Sequence, residues 1–251
     1  MRNSKIFVLA VALTVWGTCA SRAWPGPLPS WDGQVQVHGA LRAMMHEGQI
    51  GPMVELGSMM PDSTLFGLGA MADLAGEITI LHGTAYLAYP EGMDTTRIVA
   101  NSRPDASATL LVVGHVPAWR SITLDHPVAF EKLEEEIPEL AATVGLGREQ
   151  RIPFLVTGTF DNFRWHVIDG SRLTDLSAPH QEHLKAAVKF VRDRVEATLI
   201  GFYSEGDRGV FTHMDSKLHV HCVVSEPLSA GHVDHVDVPA GATVEFPVVE
   251  E

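Results

Sequence analysis

The sequence predicts an α+β fold in which mixed and antiparallel sheets form two closely packed halves. Alternating apolar and polar residues bounded by turn residues are typical of β-hairpins, and two such stretches stand out, at 77–87 and at 217–232. Apolar residues recur at helical spacing in three segments, near 41–48, 128–144 and 179–196. We therefore expect strands to dominate and helices to be a minority.

The length and composition are those of a globular protein. The chain has 251 residues, of which 45% are hydrophobic and 20% charged, which suits one large domain or two small ones. The formal net charge is −13, and no basic stripe interrupts this acidic balance. Because such a surface repels a phosphate backbone, we expect no nucleic-acid partner.

The first 23 residues are predicted to be a signal peptide. Arg2 and Lys5 form a short positive start, residues 6–17 are apolar, and small residues up to Ala23 suit cleavage. The apolar run is too short to span a membrane as a stable helix. We expect an exported protein, periplasmic or extracellular, with no membrane association after cleavage. Its one remaining cysteine, Cys222, has no partner for an internal disulfide.

The rest of the chain is predicted to divide into two halves near residues 145–151, where glycines and polar residues interrupt the apolar pattern. Residues 24–148 would form an N-terminal α+β half that carries Glu77. Residues 149–251 would form a C-terminal, mainly β half that carries a group of histidines.

The N-terminal half is expected to contain two helices, a hairpin and a buried strand. The first helix ends at Gly48, and the second begins after the cap Asp125-His126-Pro127. The hairpin of residues 77–87 turns at His82-Gly83, and residues 110–113 form the buried strand. The apolar helical positions are Leu41, Met44 and Met45 in the first helix, and Phe130, Leu133, Ile137, Leu140 and Val144 in the second.

The C-terminal half is expected to contain one helix among strands. Residues 153–160 and 163–168 would form a hairpin that turns at Asp161-Asn162. The helix would extend from Pro179 to Glu196, because apolar residues recur there at helical spacing. Its inward positions are Leu184, Val188, Val191 and Val195.

Three histidines are predicted to meet on one face of the later hairpin. Side chains alternate along a strand, so His219 and His221 share a face and Cys222 points the other way. A turn near Pro227 would place His232 opposite His221. Three protein ligands, with a fourth position left to water or substrate, are typical of a catalytic zinc. The chain has 13 histidines, so the spacing alone leaves a chance arrangement open.

Two signatures lie about 140 residues apart in the chain. The first is a glycine-rich run that ends in Asp73-Leu74-Ala75-Gly76-Glu77 and is followed by Leu81-His82-Gly83-Thr84-Ala85-Tyr86. The second is Gly201-Phe202-Tyr203-Ser204, followed by His219-Val220-His221 and Gly231-His232-Val233. The two signatures occur in the order found in the alpha-acetolactate decarboxylase family, and the likeness extends from Val35 to Asp237. On these residues the chain resembles that family.

The resemblance implies a zinc enzyme that converts 2-acetolactate (2-hydroxy-2-methyl-3-oxobutanoate) to acetoin and CO2. It implies that His219, His221 and His232 bind Zn²⁺. The ion would act as a Lewis acid and stabilise the enediolate that remains after CO2 leaves. The resemblance also makes Glu77 an active-site residue, whereas its position alone suits a solvated glutamate at a strand edge. Partial burial would raise the pKa of Glu77 and suit it to deliver the proton.

The chain departs from the family's pattern at three points. Ala70 is found where the family has a threonine. The family's catalytic arginine lies in the hairpin that Arg164 occupies, but counting from Gly158 its position falls on His166. These two residues share a strand face, so either could reach the site, and we assign Arg164 to hold the substrate carboxylate. The family also has an active-site glutamate in a C-terminal segment. Position alone does not assign that role to either of the last two glutamates of this chain.

Two other functions stay open at this point. One is a non-catalytic exported protein that binds a metal or ligand on the same scaffold, which Ala70 would fit. The other is a cupin-type metalloenzyme, since that class also uses His-x-His with a nearby glutamate, here Glu226. It would need a second histidine motif well downstream of His232. The expected partner is a small 2-hydroxy-3-oxo acid, and a homodimer is left open.

Overall fold

The computed structural model describes residues 28–173, residue 175 and residues 180–250, so the predicted signal peptide lies outside the described residues. Two sheets and a few short helices form an α+β fold, which confirms the predicted fold class. None of the helices among the described residues is long and apolar enough to cross a membrane.

The first sheet is built from seven strands of the N-terminal half. In chain order they are β1 (Val35–His38), β2 (Val54–Glu55), β3 (Leu65–Met71), β4 (Glu77–Leu81), β5 (Thr84–Pro90), β6 (Thr96–Asn101) and β7 (Ser107–His115). Their order across the sheet is β1-β7-β3-β4-β5-β6, and β2 pairs with β7. The central strand β3 is buried throughout, and an added Cβ at Gly69 would lie 2.0 Å from the carbonyl oxygen of Leu110. Glycine therefore permits the close approach of β3 to β7.

The second sheet carries the histidine hairpin. Its strands are β8 (Trp119–Thr123), β9 (Ile152–Val167), β10 (Val188–Tyr203), β11 (Leu218–Val224), β12 (Ser229–Asp237) and β13 (Thr243–Pro247). Their order is β10-β11-β12-β9-β13-β8, and β10 also pairs with β9, so four of the strands form a closed circuit. The hairpin of β11 and β12 is thus held on both sides by hydrogen-bonded strands.

In the part of the chain that the structure describes, three α-helices connect the strands. They are α1 (Leu41–Glu47), α2 (Leu133–Thr143) and α3 (His180–Ala186), and 3-10 turns occur at Leu56–Ser58, Ala72–Leu74, Phe130–Lys132 and Gly170–Arg172. The first helix ends as predicted, because Gly48 adopts the left-handed conformation with φ 65°. The predicted cap of α2 is wrong, since Val128 pairs with Val238 and the helix begins only at Leu133.

Two predictions for the C-terminal half are wrong. Asp161-Asn162 is not a turn, because β9 continues through it as a single 16-residue strand. The predicted helix over 179–196 ends at Ala186, and β10 begins at Val188. Both errors have one cause: β9 and β10 pair along their whole lengths, and this long-range ladder overrides the local turn and helix signals. Val191, predicted to face inward, is 59% exposed.

The two sheets pack on one shared hydrophobic core. β11 and β12 lie against β4, and β10 lies against β3, so the faces that carry Glu77 and the histidines meet. β8 precedes residue 148, where the predicted N-terminal half ends, yet it belongs to the second sheet. The division into halves at 148–149 therefore stays a prediction.

Candidate active site and metal centre

Three of the hairpin's four histidines, His219, His221 and His232, meet as the alternation predicts. His221 and His232 lie directly opposite each other in the antiparallel register. The ring centroid of His219 is 5.1 Å from that of His221 and 4.9 Å from that of His232, and the last two are 5.5 Å apart. One ligand nitrogen from each ring lies within 4.8 Å of the other two. The group is therefore within reach of a single metal ion.

Hydrogen bonds orient two of these rings. The Nδ1–H of His219 donates to the carbonyl oxygen of Phe211 at 2.7 Å, which leaves Nε2 with a free lone pair. His221 Nδ1 and Thr79 Oγ1 are 3.1 Å apart, and with the proton on Nδ1 the hydroxyl accepts it. The Nε2 atom of His221 is buried and has no hydrogen-bond partner among the described residues. Such outer contacts fix the tautomer of metal-binding histidines.

A second group of contacts holds the loop that supplies the Phe211 carbonyl. The Arg151 guanidinium donates twice to the Asp207 carboxylate, with both N···O distances at 2.8 Å. The backbone N–H groups of Val210 and Phe211 then donate to the carbonyl oxygen of Asp207. Burial raises the pKa of Asp207, but the hydrogen bonds from Arg151 and Ser204 outweigh it and hold the pKa below its usual value.

The three histidines are neutral near pH 7. Burial lowers the pKa of His219 to about 3, and it holds the pKa of His221 and of His232 well below the usual value. Neighbouring imidazoles lower the three values further, since like charges would repel. Neutral imidazole is the form that binds metals, so these protonation states suit ligands.

Glu77 reaches the histidines from the first sheet. Its Oε2 lies 3.7 Å from Nε2 of His221, and the backbone N–H of Ile168 donates to its Oε1 at 3.3 Å. Burial raises the pKa of Glu77 to about 7. Thr79 lies two residues after Glu77 on β4 and shares its strand face, and both side chains flank His221. Ala70 lies directly opposite Glu77 in the sheet.

His166 lies inside the site, whereas Arg164 lies at its outer edge. His166 is 6% exposed, it is directly opposite His232, and the two ring centroids are 4.9 Å apart. Its Nδ1–H donates to Asp234 Oδ1 at 2.7 Å. Burial alone would lower the pKa of His166, but the contact with Asp234 outweighs it and raises the pKa. Arg164 is exposed and lines the outer cleft described below.

Sequence reasoning missed Asp234 and His213 as site residues. Asp234 follows His232 by two positions, but the pairing of β12 with β9 is irregular between Val233 and His235, so regular alternation was not a sufficient signal for it. His213 lies in the loop before β11, with its ring centroid 5.6 Å from that of His232. No periodic pattern marks that loop, so only the folded chain shows that His213 belongs here.

Two cavities adjoin the histidine group and share part of their lining. The inner one has a volume of about 60 Å³ and includes Glu77 and Ala70, with apolar residues of α1 on its far wall. The outer one is an open cleft of about 970 Å³ between β9, β10 and the loop before β11. Four residues line both cavities, and we call this shared lining the neck: His166, Leu184, His213 and His232.

Cys222 is on the other face of the hairpin. Its side chain is fully buried in the hydrophobic core, and burial strongly raises the pKa of its thiol. Glu250 is also remote, since it is exposed and accepts a hydrogen bond from Ser30. Neither residue joins the histidine group.

The residues present fit a zinc ion. Three neutral imidazoles supply the ligand type and number of a catalytic zinc site. The buried and unpartnered Nε2 of His221 would be costly to leave without a partner, and a metal ion would satisfy it. The neck leaves an open side on which a substrate could approach.

Comparison with known proteins identifies the family. A family model described as alpha-acetolactate decarboxylase matches residues 38–251. The chain belongs to this family. The family and the fold together indicate a carboxy-lyase, and they remove the cupin-type alternative. A comparison with curated protein sequences gives no significant match.

Solved structures share the fold over most of both chains. A Staphylococcus aureus protein, described as of unknown function and similar to alpha-acetolactate decarboxylase, is 17% identical, with a TM-score of 0.66 and 86% of each chain covered. The alpha-acetolactate decarboxylase of Bacillus subtilis strain 168 is 20% identical, with a TM-score of 0.65 and 87% of each chain covered. The enzyme of Bacillus subtilis subspecies spizizenii is 20% identical, with a TM-score of 0.64 and 85% of each covered.

Proposed function

We propose that this alpha-acetolactate decarboxylase family member is a zinc-dependent enzyme that converts 2-acetolactate, or a close 2-hydroxy-3-oxo acid, to the corresponding hydroxyketone and CO2. The single observation that carries the proposal is the position of Glu77. This buried carboxyl lies 3.7 Å from the unpartnered Nε2 of His221, although the two belong to different sheets. A proton donor beside a three-histidine site is the combination that this reaction needs.

The metal site of the proposal consists of His219, His221 and His232. Bound there, Zn²⁺ would supply Lewis-acid stabilisation of the negative charge that develops on the hydroxyl and ketone oxygens of the substrate. The protein's own part is to direct the lone pairs of the three imidazole rings towards one point. Phe211 and Thr79 do this for His219 and His221 through the two Nδ1 atoms.

The proton step is assigned to Glu77. The bond between C1 and C2 breaks, CO2 leaves, and the electron pair moves onto the ketone oxygen, which gives an enediolate. C2 must then receive a proton to form the hydroxyketone. Burial favours the protonated carboxyl of Glu77, and the N–H of Ile168 fixes its other oxygen, so the acid is held at one face of the cavity.

The substrate carboxylate is assigned to Arg164, whose guanidinium is the group best suited to hold a carboxylate by two hydrogen bonds. Arg164 lies next to the neck on the same strand face as His166. His166 stays the alternative holder, because it lies closer to the histidine group and is oriented by Asp234.

A direct assay tests the proposal. The purified protein is loaded with Zn²⁺ and incubated with 2-acetolactate, and acetoin and CO2 are measured together with the zinc content. We expect about one zinc per chain and equal amounts of acetoin and CO2. A zinc-loaded protein that releases no CO2 would remove the decarboxylase proposal and favour a binding protein, which Ala70 and His166 at two of the family's positions would fit.

Export is also part of the proposal, on the pattern of residues 1–23. Mass spectrometry of the protein recovered outside the cytoplasm should give a chain that begins near Trp24. An intact Met1 terminus on cytoplasmic protein would contradict it.

A further inference from the structure

The outer cleft is much larger than the reacting part of a 2-hydroxy-3-oxo acid requires. The inner cavity, of about 60 Å³, is lined by Glu77 and shares the residues of the neck with the cleft, of about 970 Å³. A substrate whose reacting carbons lie between Glu77 and His232 must point its remaining atoms through this neck. The cleft walls beyond the neck therefore contact whatever substituent the substrate carries.

Two cations line the cleft beside the neck. Lys189 on β10 is directly opposite His166 on β9, and Val191 is directly opposite Arg164. Opposite residues in a ladder share a face, so Arg164 and Lys189 are diagonal neighbours, with Cα atoms about 7–8 Å apart. Long side chains at this separation can bind neighbouring carboxylates of one ligand.

Neither cation is neutralised by the protein. Within the described residues, Arg164 and Lys189 form no hydrogen bond or ion pair, although four acidic residues line the same cleft: Glu131, Glu134, Asp215 and Asp234. Three of these acids already have partners, and one of the three is Glu131, whose Oε1 lies 4.0 Å from Nδ1 of His235. Glu134 accepts from Ser216 and from the backbone N–H of Lys217, and Asp234 accepts from His166.

An apolar surface lies next to the two cations. Val191 is 59% exposed, and it lies on the same strand face as Lys189 and Arg164. Leu184 adds an apolar contact at the neck. A short methylene chain that leaves the neck would lie against this surface beside the two cations, and such burial of apolar area is favourable.

We propose that the cleft binds a second carboxylate of the substrate, so that the substrate class is a dianionic 2-hydroxy-3-oxo acid with an acidic acyl chain. This rests on the proposed function. Arg164 and Lys189 together face two carboxylates, one of which leaves as CO2 while the other stays on the product. The reacting bonds are unchanged: C1–C2 breaks, the electron pair moves to the ketone oxygen, and C2 takes the proton.

Binding of unreactive analogues tests this inference separately from turnover. The pair is 2-hydroxy-2-methylhexanedioate and 2-hydroxy-2-methylhexanoate, which lack the ketone and differ only in the second carboxylate. Calorimetry with the zinc-loaded protein at low salt should give a Kd about fivefold lower for the dianion. The preference should decline between about 0.05 and 0.5 M salt, because screening weakens exposed ion pairs.

Variants of β10 assign the effect to its residue. In Lys189→Met the Kd values of the two analogues should become about equal, whereas Lys189→Arg should retain the preference for the dianion. The matched control is Arg194→Met, which removes the same charge from the same strand but lies on the other face and pairs with Asp161. It should keep the wild-type ratio.

The outcomes separate the two proposals. A wild-type preference below about twofold, or one that Lys189→Met leaves unchanged, overturns the second-carboxylate site. If 2-acetolactate is decarboxylated under that outcome, the proposed function stands alone. If the dianion binds more tightly but no 2-hydroxy-3-oxo acid loses CO2, the proposed reaction fails while the carboxylate site remains.

Discussion

The histidine hairpin of β11 and β12 differs in character from the neighbouring pair of long strands, β9 and β10. In the hairpin, His219 and His221 are buried and each is fixed by a hydrogen bond at Nδ1. On the outer part of β9 and β10, Arg164 and Lys189 are exposed and make no hydrogen bond or ion pair within the described residues. One region is preorganised, and the other is free to adapt.

The difference matches two tasks. A metal site needs ligand atoms held in place before the ion arrives, because loose ligands would have to be ordered at a cost in binding free energy. Exposed cations can follow a substrate's carboxylate as it enters and leaves. Changes in the hairpin should therefore alter metal content, whereas changes on β9 and β10 should alter KM.

The largest effect is expected from the metal ligands. The double variant His219→Ala, His221→Ala removes two of three ligands, so bound zinc should decline from about one per chain to background. Elemental analysis of the purified protein measures this. The control is His235→Ala, on β12 but outside the histidine group, which should keep its zinc. Full zinc content in the double variant would rule out the site.

The second largest effect is expected from Glu77→Gln. Removing a positioned proton donor costs on the order of 10²–10⁴ in rate, so most turnover of 2-acetolactate should be lost. The amide occupies nearly the same volume, so zinc content and the thermal midpoint should stay close to wild type. Activity within about twofold of wild type would show that another group delivers the proton.

Thr79→Val tests whether zinc binding by the hairpin depends on the hydrogen bonds that its histidines make at Nδ1. The variant keeps the shape of the side chain but removes the hydroxyl that meets His221 Nδ1. Zinc affinity should weaken by about 10–100-fold, as is typical for such partners, and Thr79→Ser should restore it. Competition with a zinc chelator measures the affinity. An unchanged value would mean that burial and the backbone contact with Ile78 are enough to orient His221.

Arg164→Ala should act on substrate binding. We expect KM for 2-acetolactate to rise about tenfold with a smaller change in kcat, because one charge-assisted contact is lost. His166→Ala should be less damaging if Arg164 holds the carboxylate. The reverse order of the two KM values would assign the carboxylate to His166 and leave the metal site untouched.

Cys222→Ser should have the smallest effect. The thiol lies on the core face of β11, away from the histidines, so zinc content should not change. Placing a hydroxyl in the core should cost about 1 kcal/mol, or roughly 2–4 °C in Tm. Calorimetry checks the shift, with Cys222→Ala as the apolar control. A loss of zinc would show that the thiol contributes to the metal site.

Local rules were sufficient for the hairpin and insufficient for the strands beside it. Alternation and turn chemistry act over a few residues, so the amino-acid pattern alone places His219, His221 and His232 on one face. The helix predicted over 179–196 failed because its valines suit a strand equally well. Pairing with β9 decided between the two conformations.

The amino-acid sequence by itself determined the α+β class, the three-histidine group and, through family likeness, the candidacy of Glu77 as an active-site residue. Only the tertiary structure decided that Thr79 meets His221, 142 positions later, and that His166, His213 and Asp234 surround the same point. The physical reason is that the contact of Thr79 with His221 joins the two sheets, and the other contacts join different strands or a strand and a loop. They depend on which faces pack together, and no spacing within one segment encodes that choice.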